Sequence, residues 1–490
     1  MSTVKVIFKN MAVVMTGTMM IMILSILFTI LLARHLGTAG YGLYVYATSL
    51  VTIFINLTEF GMSQIAIRDV AKEKENANYY LSNIFVIRAV LSLASMAVIF
   101  VIVRLLRDSA SDRDILYLFA SGSFFIMVAA GLRWVFFAYQ KLEYEAFLNV
   151  TQTSLSLMFV VLLVIFRQSL LMFAFYYMII SMIMLLLTIF LIRRNITKFS
   201  AKLNWDFMRK MVASALPLGV VAITTAIYLN MDKLMLSAFR GDTETGIYGA
   251  AFRLTAYMRI LLITYTTPVL LPALAELSVT SLQTKFMKLL DKSFHFMVAV
   301  CLAASLGTVL ISKQLIMLFF GEKFINAVIP LSIVVWVLPF IGAHALLSYA
   351  MISIGRQDKV MVACLSGMIV NLILNLSLIP SYGSIGAALS MVISDALIAT
   401  IIIIYASRYL SFKPSIKKVL RIAVAAAIMG ITTYYLRAMN IYILIVISSV
   451  AYFISLIIMK VITKEEWGLL KKALISSPRE SYANLGVEEK

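Results

Sequence analysis

Apolar residues run through this chain in long blocks, and charged residues gather at the joints between them. A helix needs about 20 apolar residues, at ~1.5 Å rise each, to cross the hydrocarbon of a bilayer. On that template the sequence predicts about fourteen spans. The first six are Met11–Ala33, Tyr41–Phe60, Ile84–Leu106, Ile115–Val135, Phe147–Phe166 and Leu170–Ile192. The next six are Met211–Phe239, Ile247–Leu271, Phe294–Phe320, Val328–Ile354, Val360–Ile379 and Ile385–Ser407. Val419–Leu436 and Tyr442–Val461 complete the set. Met11–Ala33 is long enough to span, and no small-residue cleavage site breaks its end, so it reads as a span and not as a signal peptide.

One joint recurs. Gly37, Gly42, Tyr44, Ala47 and Leu50 repeat 204 positions later as Gly241, Gly246, Tyr248, Ala251 and Leu254, and Leu32 and Leu236 extend the match upstream. Each copy links the outgoing end of one span to the start of the next. The offset covers six spans, an even number, so both copies enter the membrane with the same polarity. That predicts two parallel six-helix lobes around a central cavity, an arrangement common in transporters. The expected divisions are an N-lobe (1–192), an amphipathic basic linker lying along the inner surface (193–210), a C-lobe (211–407), two additional spans (408–461) and a tail (462–490).

Lysine and arginine set the expected orientation. Arg68/Lys72/Lys74, the run from Arg193 to Lys210, Lys285/Lys288/Lys292 and the run from Arg408 to Arg421 fall on one side. The opposite connections are short and poor in cations. The asymmetry predicts a multi-pass protein of the cell membrane with both termini cytoplasmic.

Composition agrees with this picture. Hydrophobic residues make up 62% of the 490 and charged residues 13%, against about half and a quarter in soluble domains. The formal net charge of +19 could suggest nucleic acid, but the cations are scattered between apolar spans, which points to orientation signals and anionic lipid headgroups. Cys301 and Cys364 lie in apolar runs without metal or disulfide spacing. No Gly-x-x-x-x-Gly-Lys-[Ser/Thr] loop occurs, and His35, His295 and His344 are isolated, so neither a P-loop ATPase nor a metal or other cofactor is expected. Short outward loops, in which Asp112/Asp114 is the one acidic pair near a basic residue, argue against an enzyme.

Longer motifs carry a family likeness. Leu-Ala-Arg-His-Leu-Gly-Thr-Ala-Gly-Tyr-Gly-Leu-Tyr from Leu32 is followed by Glu59-Phe60-Gly61 and Arg68. A second block runs from Gly355-Arg356 and Lys359 through Asn371, Asn375, Pro380, Tyr382, Gly383, Gly386, Ala387 and Ala388. Together these resemble the polysaccharide-biosynthesis flippases of the MOP exporter superfamily, which is related to the lipid II flippases and the MATE drug exporters. The resemblance extends from Asn10 to about Tyr409. It implies an all-α MOP/MATE-like fold and translocation of polyprenyl-diphosphate-linked oligosaccharides from the inner to the outer leaflet by alternating access, coupled to an H⁺ or Na⁺ gradient. The same motifs also have architectural accounts: Gly37 and Gly42 permit a tight turn, and Asn371 and Asn375, one helical turn apart, can bond a neighbouring helix.

Charges inside spans are the remaining candidates. Arginine suits a diphosphate head because its planar fork binds phosphate bidentately, and lysine adds a compact charge. Arg253 and Arg259 are the leading substrate-facing candidates, although six positions separate them by about 120° on one helix. Lys233, Arg88 and Arg133 complete the cationic set; for Arg88 and Arg133, snorkelling to the inner surface is the simpler account. Asp232, Asp395 and His344 are the candidates for ion coupling, and Asp232 is equally suited to be a structural counter-ion of Lys233 or Arg253. Tyr228 and Tyr257 could stack on sugars or pack against lipid. A cation-coupled multidrug exporter of the MATE type is the main alternative, disfavoured because the intramembrane excess is basic. An integral-membrane glycan polymerase ranks behind it.

Overall fold

The computed structural model describes residues 3–197, 199, 202–264, 283–437 and 439–461. Lys198 in the linker, most of the second half of the Ile247–Leu271 span and the tail 462–490 lie outside the described residues. Helices account for nearly all of the described chain, and no strand occurs among the described residues. Hydrocarbon offers backbone groups no water, so segments this apolar satisfy their N–H and C=O groups within helices. In order, the helices are α1 (Thr3–Glu59), α2 (Met62–Lys72), α3 (Ala77–Leu106), α4 (Ala110–Ala130), α5 (Trp134–Ala138), α6 (Leu142–Ile165), α7 (Leu170–Asn195) and α8 (Trp205–Arg259). They continue with α9 (Gln283–Leu310), α10 (Ser312–Phe319), α11 (Val328–Val334), α12 (Val337–Ser353), α13 (Gln357–Tyr409), α14 (Ile416–Tyr435) and α15 (Ile441–Ile458).

Three of these helices are far too long for one crossing. α1, α8 and α13 have 57, 55 and 53 residues, roughly 80 Å of helix against a core of roughly 30 Å. Each breaks at one glycine: Gly37 (φ 71°, ψ −174°), Gly241 (φ 83°, ψ 176°) and Gly383 (φ 55°, ψ −130°). Positive φ with extended ψ is a conformation that only glycine adopts without strain, so one residue turns the chain while helix continues on both sides. Nine helical stretches among the described residues are long and apolar enough to cross a membrane, ten if the bent pair Glu322–Val334 and Val337–Ser353 is one span. The three broken helices each cover two of the apolar blocks read from sequence. This is an all-α, multi-pass membrane protein.

The chain forms two compact units. The first comprises Met1–Leu254, Ile316–Pro330 and Cys364–Ser394. In it α4 packs on α7, α3 and α1, and α6 packs on α1 and α7. α2 is amphipathic: Met62, Ile65, Ala66 and Val70 are buried, while the Arg68 and Lys72 side of the helix carries the charge. Those buried residues join Leu81, Ile84, Trp134, Phe136 and Met184 in one apolar core.

The second unit comprises Thr255–Leu315, Leu331–Ala363 and Asp395–Lys490. α9 is its central helix, packed on α12 and α14, with α15 against α14. Ala299, Ile422, Ala425, Ala426 and Met429 form one apolar contact, and Met297, Cys301, Val335 and Leu338 another. Hydrogen bonds join the helices: Tyr452 Oη donates to Ala299 O at 2.8 Å, and Thr433 Oγ1 to Ser448 Oγ at 2.8 Å. The Ser305 hydroxyl donates to Val335 O at 2.9 Å, satisfying a carbonyl at the break between α11 and α12.

Candidate functional site

The repeated motif builds a crossing with local two-fold symmetry inside the first unit. A Cβ on Gly42 would lie 1.7 Å from the carbonyl oxygen of Asp242, and a Cβ on Gly246 would lie 2.0 Å from that of Thr38. Thr38 and Asp242 are related by the 204-residue offset, as are Gly42 and Gly246, so the two contacts are reciprocal. Val45 and Gly249 are also mates, and they meet each other, with a Gly249 Cβ placed 2.8 Å from Val45 Cγ2. A residue that touches its own equivalent sits near the symmetry axis. Gly37 and Gly241 therefore serve the turns, whereas Gly42 and Gly246 serve close backbone approach.

Polar side chains fasten this end. Arg107, just past α3, makes a bidentate pair with Asp242 at 2.8 and 3.0 Å and reaches Ser237 Oγ at 2.5 Å. Ser237 Oγ in turn donates to Asp242 Oδ1 at 2.6 Å, and the guanidinium lies 4.2 Å from the Tyr46 ring centroid. Burial alone would lower the Arg107 pKa, but the hydrogen bond and charge of Asp242 outweigh it and leave the group above its ordinary value. Arg34 donates to the carbonyls of Leu318 at 2.6 Å and Phe319 at 3.2 Å, at the C-terminal end of α10, where a cation is favoured. Glu244 accepts from Ser384 N at 2.9 Å, placing a carboxylate at the N-terminus of the half-helix that follows Gly383.

Next along α8, the charges expected from sequence are brought onto one another. Asp232 is fully buried and Lys233 is 5% exposed. Asp232 Oδ2 accepts from Tyr248 Oη at 2.5 Å, and Oδ1 accepts from Lys233 N at 2.9 Å and Nζ at 3.1 Å. The Lys233 ammonium also donates to Leu229 O at 2.5 Å and sits 3.8 Å from the Phe252 ring centroid. Arg253 is exposed on the half-helix after Gly241, and Arg259 is half-buried, immediately before the π-helical turn Ile260–Thr264.

Arg88 is fully buried on α3. Its Nη1 is 3.4 Å from Thr58 Oγ1 and its Nη2 3.6 Å from Glu59 Oε1, and a Cβ on Gly131 would strike its Cγ and Nε at 2.6 Å. Arg133 donates to Asn149 Oδ1 at 2.8 Å and lies 3.7 Å from Glu145. In the second unit, His344 Nε2 and Asp395 Oδ1 approach to 3.5 Å. No group of three or more His, Cys, Asp or Glu suited to a metal occurs among the described residues.

The sequence matches the family described as polysaccharide biosynthesis protein over residues 7–278, more than half of the chain. The chain belongs to that family. A curated relative, the probable low-salt glycan biosynthesis flippase Agl15 of Haloferax volcanii, is 24% identical over 194 residues, 40% of this chain. The matched region spans 41% of that relative's length. Among solved structures, the lipid II flippase MurJ in an inward closed conformation matches with a TM-score of 0.76 at 17% identity, covering 90% of this chain and 97% of MurJ. An inward-facing multidrug resistance MATE family transporter of the MOP superfamily matches with a TM-score of 0.63 at 13% identity, covering 79% and 94%. These likenesses establish a MOP-type fold for this member of the polysaccharide biosynthesis protein family.

Within that fold the sequence candidates sort by environment. Asp232 and Lys233 are engaged with each other, Arg88 is enclosed among Thr58, Glu59 and Gly131, and Arg133 is held by Asn149. The reading from sequence did not single out Arg107 and Asp242 as functional. Their signal was faint: an aspartate directly after the turn glycine, where the first copy has Thr38.

Proposed function

We propose that the protein is a flippase that moves a polyprenyl-diphosphate-linked oligosaccharide, a precursor of cell-surface polysaccharide, from the inner to the outer leaflet of the cell membrane. The observation that carries this reading is the family match over residues 7–278 in a multi-pass helical chain. In this reading the N-lobe (1–192) and C-lobe (211–407) rock about a cationic site, with both termini cytoplasmic and the glycine corners at the outer end. The close approach of the Gly42 and Gly246 backbones, beside the Arg107–Asp242 pair, supports a closure at that end in this reading. In this reading Arg253, which is exposed, and Arg259 meet the diphosphate, whose lost hydration their guanidinium donors replace. Lys233, Arg88 and Arg133 complete the cationic set. Spans 408–461 offer a path for the prenyl tail, which stays in lipid. An H⁺ or Na⁺ gradient drives the cycle through Asp232, Asp395 or His344, with no ATP chemistry in the chain itself.

The test is reconstitution into liposomes with a fluorescent polyprenyl-diphosphate oligosaccharide, following exchange between leaflets with and without an imposed gradient. Protein-dependent exchange supports the reading. No exchange, paired with uptake of an organic cation by the same vesicles, transfers the case to drug export.

A further inference from the structure

Among the described residues, the second unit holds a pair of titratable side chains that its packing does not explain. His344 lies mid-way along α12, and Asp395 lies in the half-helix of α13 after Gly383, 51 positions away. The fold brings His344 Nε2 to 3.5 Å from Asp395 Oδ1, with the side chains 17% and 3% exposed. At that separation there is no hydrogen bond, and both His344 Nε2 and Asp395 Oδ2 lack any hydrogen-bonding partner. A carboxylate oxygen buried without a partner is costly, and structural carboxylates normally collect partners on both oxygens, as Asp232 does from Tyr248 and Lys233.

We propose that His344 and Asp395 form a single proton-binding site, through which a proton gradient enters the transport cycle; the coupling to transport rests on the flippase reading above. With the site empty, a neutral imidazole faces a carboxylate and the pair carries one net negative charge. A proton taken up from water adds to the Nε2 lone pair, and the new N–H donates to Asp395, leaving a neutral imidazolium–carboxylate pair. No other bond forms or breaks, and the proton departs to water when the two helices part. Because the two atoms lie on different helices, a rearrangement that separates them changes proton affinity, which is the requirement for coupling.

The donor set favours a proton over a metal cation. A hard cation needs about six oxygen ligands. This pair offers one carboxylate and one imidazole, and no third His, Cys, Asp or Glu joins them among the described residues. Among the residues whose side chains are described, the titratable and charged groups of α9, which packs against α12, are Lys288, Asp291, Lys292, His295 and Cys301, and Arg259 ends α8 just before the π turn that also meets α12. Asp291 is held by His295 at 3.2 Å and Lys418 at 2.7 Å, so those three form a separate network. Cys301 packs against Gly342, two residues from His344.

The chain has three histidines, so imidazole resonances of the purified full-length protein can be assigned by single substitution and followed by NMR from pH 5 to 9. The expected result is that the His344 titration changes in Asp395→Asn, because a neighbouring charge is removed, while those of His35 and His295 stay in place. In vesicles, the stimulation of leaflet exchange by an imposed pH gradient should vanish in His344→Gln and in Asp395→Asn. A His344 midpoint unmoved by Asp395→Asn overturns the site. Stimulation by sodium alone, at constant pH, overturns its role in coupling. A moved midpoint in a protein that exchanges no lipid-linked glycan upholds the site and removes the flippase reading instead.

Discussion

Asp242→Asn should open the corner end of the molecule. The Asp242 carboxylate takes both nitrogens of Arg107, at 2.8 and 3.0 Å, and the Ser237 hydroxyl at 2.6 Å. Truncating one partner of a buried, hydrogen-bonded charge pair costs 2–5 kcal/mol. Arg107 and Asp242 are 14% and 16% exposed, so solvent screens the pair in part and the low end applies. About 2 kcal/mol corresponds to roughly a 30-fold shift in the closed-to-open equilibrium. Thr245, which lies within the crossing and is fully buried, offers the probe. A cysteine placed there, with Cys301 and Cys364 replaced, should react with a water-soluble maleimide about 30-fold faster once Asp242 is neutralised. Arg107→Ala should do the same, and the double variant should open little further than either single, because both remove one interaction. Equal labelling rates in all four proteins would refute the idea that this pair holds the crossing shut.

Other substitutions separate the roles of the glycines and charges. Gly42→Ala or Gly246→Ala places a methyl within 2.0 Å of a carbonyl oxygen across the crossing, so either should expose a cysteine at position 245 without unfolding the protein. Gly241→Ala meets no neighbour but forces a methyl-bearing residue into φ 83°, at about 1–3 kcal/mol, and should lower thermal stability instead. Arg253→Ala and Arg259→Ala should cut leaflet exchange while leaving the protein inserted and folded; exchange at the unsubstituted rate in both would remove the cationic-site idea. Cysteines at Ser109 and Thr243, both exposed, should label from outside the cell and one at Lys198 should not, the reverse pattern overturning the orientation.

The apolar blocks alone settled the class of this protein. Backbone groups that cannot be left unbonded in hydrocarbon must form helices, and the charge clustered at the joints marks where those helices end. The repeat was equally legible, since five matches at one offset survive any uncertainty in helix boundaries. Its physical meaning was not. From sequence, Gly37 and Gly42 look like two parts of one turn; only the backbone shows that Gly37 turns the chain while Gly42 lies against the carbonyl of Asp242 in the second copy of the motif. The same limit applies to charge. Hydropathy places Asp232, Lys233, Arg88, Asp395 and His344 inside the membrane, because insertion energy depends on each residue's own depth. Whether a buried charge is neutralised depends on its neighbours in space, which can be adjacent or far away in the chain. Lys233 and Tyr248 close around Asp232, whereas Asp395 faces His344, 51 positions distant and 3.5 Å away, with its Oδ2 unpartnered among the described residues. Sequence determines what must be buried, because solvation is a property of single residues; the tertiary structure decides which buried groups are satisfied, because hydrogen bonds and ion pairs need two.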